Sequence, residues 1–451
     1  MAPRRSPVVE PVASIEPAQK AWNYSLFDAI FQRRARRFPL GAEMPGSVNS
    51  FKSGKEPVPL DEIEEAMLVM AGTGISGVNL SDIPFNDQNG SNYCGNTMLQ
   101  FVGRTYASAC ASHGTELFYT NDEGTYIVKI RGSHPERMRE IAELDDLEKL
   151  VETFKDRRIQ IGDGRIDLPC SMPAFMSFNT WNANRPGTTL FMPVCDVTEE
   201  LINGIMLFLE QGNYPVDATD GMKPFGCEKW VKQGLAGVPV PYQGLEPLVA
   251  FGASNIEVGF MAQNLLLAET ALGLGGWPFG GFTAIMALGG TPVCRGLGFR
   301  FETPEHGPSA GFPYPIGKDG AFETHHPHWF GGSLDDAVDD VIERKWGARG
   351  IFNPANAAGT PYKRPGQMEQ EIPRTDPAIV ECTKDILNAV WKKYGRFPAL
   401  VDPCVMTVML QAHHLECGFY DQYYREGTYT ERHRRHLEKW HGGKRAALKA
   451  A

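Results

Sequence analysis

Ala271-Leu-Gly-Leu-Gly-Gly-Trp-Pro-Phe-Gly-Gly-Phe282 ends the most apolar segment of the chain and decides how the rest is read. Upstream, Ser254-Asn-Ile-Glu257 has the form of a capping box, in which a hydroxyl and a carboxylate three residues apart satisfy each other's backbone N–H groups. It predicts a helix over 255–272. Gln263, Asn264 and Glu269 interrupt the apolar run, so this helix belongs in a protein core and not in a membrane. The glycine-rich loop after it carries Trp277 and Phe279. A dinucleotide fingerprint follows a strand and opens a helix; this loop follows a helix, which excludes that reading.

Outward from this segment, Leu60, Ile63, Met67 and Met70 recur at helical spacing, with Asp61, Glu62, Glu64 and Glu65 in the first turns where the helix dipole favours acids. Gly72 and Gly74 stop that helix. Segments 116–120 and 125–130 alternate around Asn121-Asp-Glu-Gly124 and predict a hairpin, and 189–194 predicts another strand. A second capping box, Asp196-Val-Thr-Glu199, opens a helix to Gln211, and Ser333 opens an acidic one to about Trp346. Asp376-Pro377 and Asp402-Pro403 each set a cap before a proline and predict helices over 377–393 and 403–424. A short helix is expected over 22–31, after a flexible tail over 1–20. Helices outnumber strands without regular alternation, so the fold class is α+β.

The chain has 451 residues, 42% of them apolar and 22% charged, which is globular composition. Lys and Arg (44) against Asp and Glu (54) leave a net charge of −10, so nothing global favours a nucleic-acid partner. Nine scattered cysteines without Cys-x-x-Cys read as reduced thiols of a cytoplasmic protein. The first twenty residues hold no apolar signal segment, and neither a P-loop nor a Gly-x-Ser-x-Gly elbow is present.

Two further segments bear on function. Gln32-Arg-Arg-Ala-Arg-Arg-Phe38 is either solvated surface or a phosphate clamp, because guanidinium groups bind phosphate in bidentate fashion. Thr73-Gly-Ile-Ser-Gly-Val-Asn79 is either a helix stop or a turn whose Ser76 and Asn79 hydrogen-bond a ligand. Taken in order with Gln263-Asn-Leu-Leu-Leu-Ala and Ala271-Leu-Gly-Leu-Gly275, these segments resemble the nitroreductase family. That family carries Arg-Arg-Ser-x-Arg, then Ala-Pro-Ser-x-x-Asn, then an apolar helix ending in Ala-Leu-Gly-Leu-Gly. The match is clearest over 25–79 and 256–282.

The resemblance implies a central, mostly antiparallel sheet surrounded by helices, with FMN held between the subunits of a homodimer. It implies an FMN domain over 21–350 with a long insertion at about 81–185, and a C-terminal helical extension over 351–451. Arg33, Arg34 and Arg36 would contact the FMN phosphate, ribityl chain and pyrimidine edge. Ser76 and Asn79 would lie against the ring, although the Gln-Pro-Trp that often follows the asparagine is here Leu80-Ser-Asp-Ile-Pro84. The backbone of Gly280 and Gly281 would face flavin N5, Trp277 and Phe279 would line the substrate pocket, and Arg396 is a candidate second anionic contact. The implied activity passes hydride from NADH or NADPH through FMN to a small electron-poor acceptor. Because flavin carries the redox chemistry, no acid–base pair is needed.

Histidines offer a different reading. His325, His326 and His328, or His413, His414 and Glu416 along a helix, could ligate a transition metal in a metal-dependent enzyme. The third alternative is a non-catalytic flavin-binding protein whose added segments fill the substrate space.

Overall fold

A computed structural model describes residues 15–441, apart from 47, 81, 87–92, 110, 132–146, 328–331, 349 and 360–361. Seven strands form its main sheet: β1 (Thr115–Thr120), β2 (Gly124–Val128), β3 (Arg158–Asp163), β4 (Thr189–Asp196), β5 (Gly275–Phe279), β6 (Cys404–Val405) and β7 (Met409–His413). Their order is β5-β7-β4-β1-β2-β3, with β6 beside β4, and every pairing is antiparallel. The expected hairpin is β1–β2, with Leu117 opposite Val128 and Thr120 opposite Thr125.

Side chains of a strand alternate between faces, and both faces of this sheet are covered. Leu117, Tyr119, Phe191 and Leu410 pack under the helices Glu62–Thr73 and Tyr242–Leu272. Phe118, Leu190, Met192, Trp277 and Met409 enter a second core on the other side. The central strands β4 and β7 are accordingly buried along their whole length, whereas the edge strand β3 is partly exposed.

Several expectations change. Residues 15–20, expected in a flexible tail, belong to the helix Ile15–Trp22, while 1–14 lie outside the described residues; Leu26–Phe31 forms a separate helix. The helix Tyr242–Leu272 begins twelve residues before the supposed cap at Ser254 and carries Pro247 within it. Glu257 is instead a buried acceptor for Ser108 Oγ (2.7 Å), Ser112 Oγ (2.9 Å) and the Thr115 N–H (3.0 Å) and hydroxyl (2.8 Å). Tertiary donors took the carboxylate that local pattern assigned to a cap. The helix stops, as expected, at a left-handed glycine, Gly273 with φ 87°.

The larger correction lies at the C-terminus. The expected helix over 403–424 is strand β6, strand β7 and a short helix, Cys417–Tyr423. The 351–451 span is therefore not purely helical, and 81–185 likewise supplies β1, β2 and β3 to the main sheet. By contrast, Ser333 caps its helix as read, in a reciprocal box with the residue three positions on, and Asp376 caps Pro377–Tyr394; Asp61, read as a first-turn acid, is itself the cap of Glu62–Thr73 in a box with Glu64. No two of the eight described cysteines form a disulfide with each other. Among the described residues no helix is long and apolar enough to cross a membrane.

Next to β1, His113 is buried with its ring edge-on to Tyr106 at 5.3 Å between centroids. Burial, and then Arg104, lower its pKa to about 3. The unfolded chain takes up this proton below its ordinary value near 6.5 while the folded chain refuses it, so stability is full above that pH and falls as the pH drops. Replacement by asparagine, which tolerates the local φ of 44°, removes this contribution. Urea unfolding at pH 8 and pH 5 should show the wild type losing about 2 kcal/mol more than His113→Asn. Equal losses would remove His113 from the acid response.

Candidate functional site

The arginine segment leaves the short helix Leu26–Phe31 and lies along the sheet edge. The Arg36 N–H donates to the Gly276 carbonyl of β5 (3.0 Å), Leu40 N–H to His414 O (3.1 Å), and Glu416 N–H to Phe38 O (2.9 Å). Phe38 anchors it, buried against Phe419 (4.7 Å between centroids) and Trp181 (5.1 Å). Beside this anchor opens a cleft of about 410 Å³, walled by Trp181, Phe419, Tyr420 and Tyr424 and edged by Arg36, Arg37 and Thr428. That volume is within the range of small-molecule sites.

Each arginine has a distinct setting. Arg33 is exposed. Arg34 Nη1 donates to the carbonyls of Phe31 (3.3 Å) and Arg33 (3.1 Å), satisfying the end of the short helix. Arg36 is half-buried, its Nε donating to Thr428 O and its Nη1 to Ala35 O (2.9 Å). Burial lowers the Arg36 pKa, yet a guanidinium stays charged at neutral pH. Arg37 donates its N–H to the Tyr420 hydroxyl (3.0 Å) and carries its guanidinium carbon 5.9 Å from the Trp277 ring centroid. Burial pushes the Tyr420 phenol up to about 12, so it stays neutral and hydrogen-bonding.

The glycine pair lies just past β5. Gly281 O accepts from Met176 N–H (2.9 Å), and a Cβ on Gly281 would sit 3.0 Å from Asn179 Nδ2 and from the Phe178 ring, so only glycine fits without displacement. Trp277 and Phe279 are buried, stacked at 5.2 Å, in the core beneath the cleft and not among its lining. Ser76 and Asn79 lie at a short antiparallel pairing of Ile75–Val78 with Val102–Arg104, also away from the cleft lining. There Ser76 Oγ donates to Arg104 O (2.7 Å) and Asn79 Nδ2 to Gln100 O (2.8 Å). Arg396 is buried elsewhere, donating to Pro398 O (2.9 Å), Val401 O (2.7 Å) and Asp402 Oδ1 (2.8 Å). Within one chain the structure thus unites the arginines with the segment after Leu272, and leaves Ser76, Asn79 and Arg396 apart.

The histidine groups separate too. His325 Nε2 pairs with Asp340 (2.8 Å), His326 with the Tyr314 hydroxyl (2.8 Å) and Glu302 (3.4 Å), and His328 lies outside the described residues. His413 is on β7 and not on a helix, so it shares no helical face with Glu416 or Cys417. Glu416 caps Cys417–Tyr423 and pairs with Lys55 (3.2 Å). Sequence reading missed Arg37 as a lining group, and with it Trp181, Tyr420 and Tyr424. The aromatic run Phe419-Tyr-Asp-Gln-Tyr-Tyr424 was the available signal, obscured by placing it on a long helix.

No family profile matches the chain, and no curated protein matches it. Among solved structures, it is similar to one described as a "putative nitroreductase" from Ralstonia eutropha, at 14% identity over 58% of this chain and 71% of that one. The TM-score is 0.27, at which the two folds do not superpose closely enough to support an argument about either fold or function.

Proposed function

We propose that the chain is an FMN-dependent oxidoreductase whose cofactor lies in the cleft beside Arg36 and Arg37. The observation that carries this reading is the junction of an arginine-rich segment with β5 at the rim of an aromatic-walled cleft of about 410 Å³. A flavin mononucleotide needs flat apolar walls for its ring and fixed positive charge for its phosphate. Trp181, Phe419, Tyr420 and Tyr424 supply the first, and Arg36, Arg37 and the exposed Arg33 the second. When bound, FMN would supply the hydride chemistry, from NADH or NADPH to a small electron-poor acceptor, and the protein's part is binding, orientation and charge. Arg36, held by Thr428 and Ala35, fixes the rim, and Tyr420 orients the Arg37 backbone. Gly280 and Gly281 stand outside the lining of the cleft, Gly281 packed against the Phe178 ring and Asn179, so they supply no part of its wall.

A second copy belongs to this reading. Leu248, Phe251, Ile256 and Phe260 form an exposed apolar stripe along the helix Tyr242–Leu272, which packs beside the helix bearing exposed Leu26, Phe27 and Phe31. Neighbouring exposed apolar groups of this kind suit a protein interface. Ser76 and Asn79 each keep an acceptor oxygen after their own hydrogen bonds, and in a homodimer they reach the partner's cofactor.

Arg37→Gln removes one charged donor while keeping the backbone contacts to Tyr420 and Asn182. The dissociation constant for FMN, read by flavin fluorescence, should rise about 10- to 100-fold. An unchanged constant in a folded variant would take the phosphate out of this cleft.

A further inference from the structure

Away from the cleft, the C-terminal helix Glu431–His441 brings His436 against Glu64, in the first turn of the helix Glu62–Thr73, and against His414, the residue after β7. All three are buried, at 3%, 0% and 2% exposure. His436 Nε2 lies 2.5 Å from Glu64 Oε1, and His414 Nε2 lies 3.8 Å from Glu64 Oε2. The imidazole rings are 5.0 Å apart at 31°. One donor atom from each side chain falls within 4.8 Å of the other two.

The hydrogen-bonding chemistry narrows what this point holds. His436 Nδ1 lies 2.7 Å from the Leu272 carbonyl, which only accepts, so Nδ1 carries a hydrogen. In a neutral imidazole Nε2 is then a lone pair, and it faces a carboxylate oxygen. His414 Nε2 also faces acceptors, Glu64 Oε2 and the Pro59 carbonyl at 3.3 Å. Each nitrogen–carboxylate contact therefore holds either a hydrogen, on His436 Nε2 or Glu64 and on His414 Nε2, or a cation. A divalent cation that displaces both hydrogens serves all three side chains together.

We propose that Glu64, His414 and His436 form a site for one divalent transition-metal cation, with Zn²⁺ best suited to two imidazoles and a carboxylate oxygen. Ligands about 2.1 Å from such an ion stand about 3.4 Å apart around a tetrahedron, so the 2.5 Å His436–Glu64 contact opens and the 3.8 Å His414–Glu64 contact closes slightly when the ion enters. The His436 Nδ1–H to Leu272 carbonyl bond is the outer contact that metal-bound imidazoles use to fix their tautomer. Glu64 Oε2 accepts the Asp61 N–H (2.7 Å), so the helix cap holds the carboxylate in place. The ion ties three segments distant in sequence, and its role is to hold the C-terminal helix on the core. None of these residues lines the cleft, so the site stands or fails independently of FMN.

The test uses the full chain, stripped with chelator and titrated with Co²⁺ alone, then Zn²⁺. Wild type should bind one equivalent per chain, give visible Co²⁺ bands of low coordination number, and gain thermal stability with Zn²⁺. Glu64→Gln preserves side-chain shape and a cap acceptor, and His436→Asn removes an imidazole. Both should lose at least about 100-fold in Co²⁺ affinity and the Zn²⁺-dependent rise in melting temperature. His326→Asn should keep both. A wild type with no saturable Co²⁺ site, or variants at positions 64 and 436 that bind as wild type does, overturns the proposal.

Discussion

Arg131→Met should lower the stability of the folded chain by about 3–5 kcal/mol in urea unfolding at pH 7, the largest single effect expected from any charged residue here. The Arg131 side chain is 8% exposed and bridges two carboxylates that are wholly buried. Its Nε lies 3.3 Å from Glu116 Oε1 on β1, and its Nη1 lies 2.6 Å from Asp196 Oδ2 at the end of β4. The guanidinium also stacks over the Phe322 ring at 4.7 Å. Methionine replaces the aliphatic stem but leaves both carboxylates short of their main counter-charge. Lys129 is 3.7 Å from Glu116 and answers only one of them. The cost is that of uncompensated buried charge and not of lost attraction alone. Accordingly, adding Glu116→Leu to Arg131→Met should recover part of the loss. A single-variant loss below about 1 kcal/mol would mean that water reaches these carboxylates.

Trp277→Ala should cost about 3–5 kcal/mol, through lost burial and the cavity left behind. Trp277 is fully buried on β5, opposite Gln411 of β7, stacked on Phe279 and edge-on to His413 at 6.0 Å. From the sequence it was a substrate-pocket residue; its place in the second core makes stability the expected readout. Trp277→Phe should retain more than half of the lost stability, since most of the apolar volume survives. If Trp277→Ala unfolds at the wild-type urea midpoint but binds small acceptors differently, the residue belongs to a pocket after all.

What was legible in the sequence is what local physics determines. The caps at Ser333 and Asp376, the hairpin around Asn121–Gly124 and the stop at Gly273 rest on contacts within a few residues, and they stand as read. Segment 403–413 was not legible, because a short apolar run buried on both faces has the same composition in a helix as in a central strand. Ser254-Asn-Ile-Glu257 misled for a related reason: the donors that claim Glu257 come from residues 108–115, and no local pattern announces them. The cleft was half visible. Its arginines form a run, whereas Trp181 and Tyr420 reach it from segments remote in sequence. The cluster of Glu64, His414 and His436 gave no signal, since its members share no spacing motif.

The central claim, that the cleft beside Arg36 and Arg37 takes FMN, is tested most directly by the absorption spectrum of the purified chain before and after FMN is added. The account predicts flavin bands that stay with the protein through gel filtration, shift on binding, and bleach on addition of NADH or NADPH. Protein that remains colourless, with added FMN keeping its free spectrum and eluting separately, would contradict it.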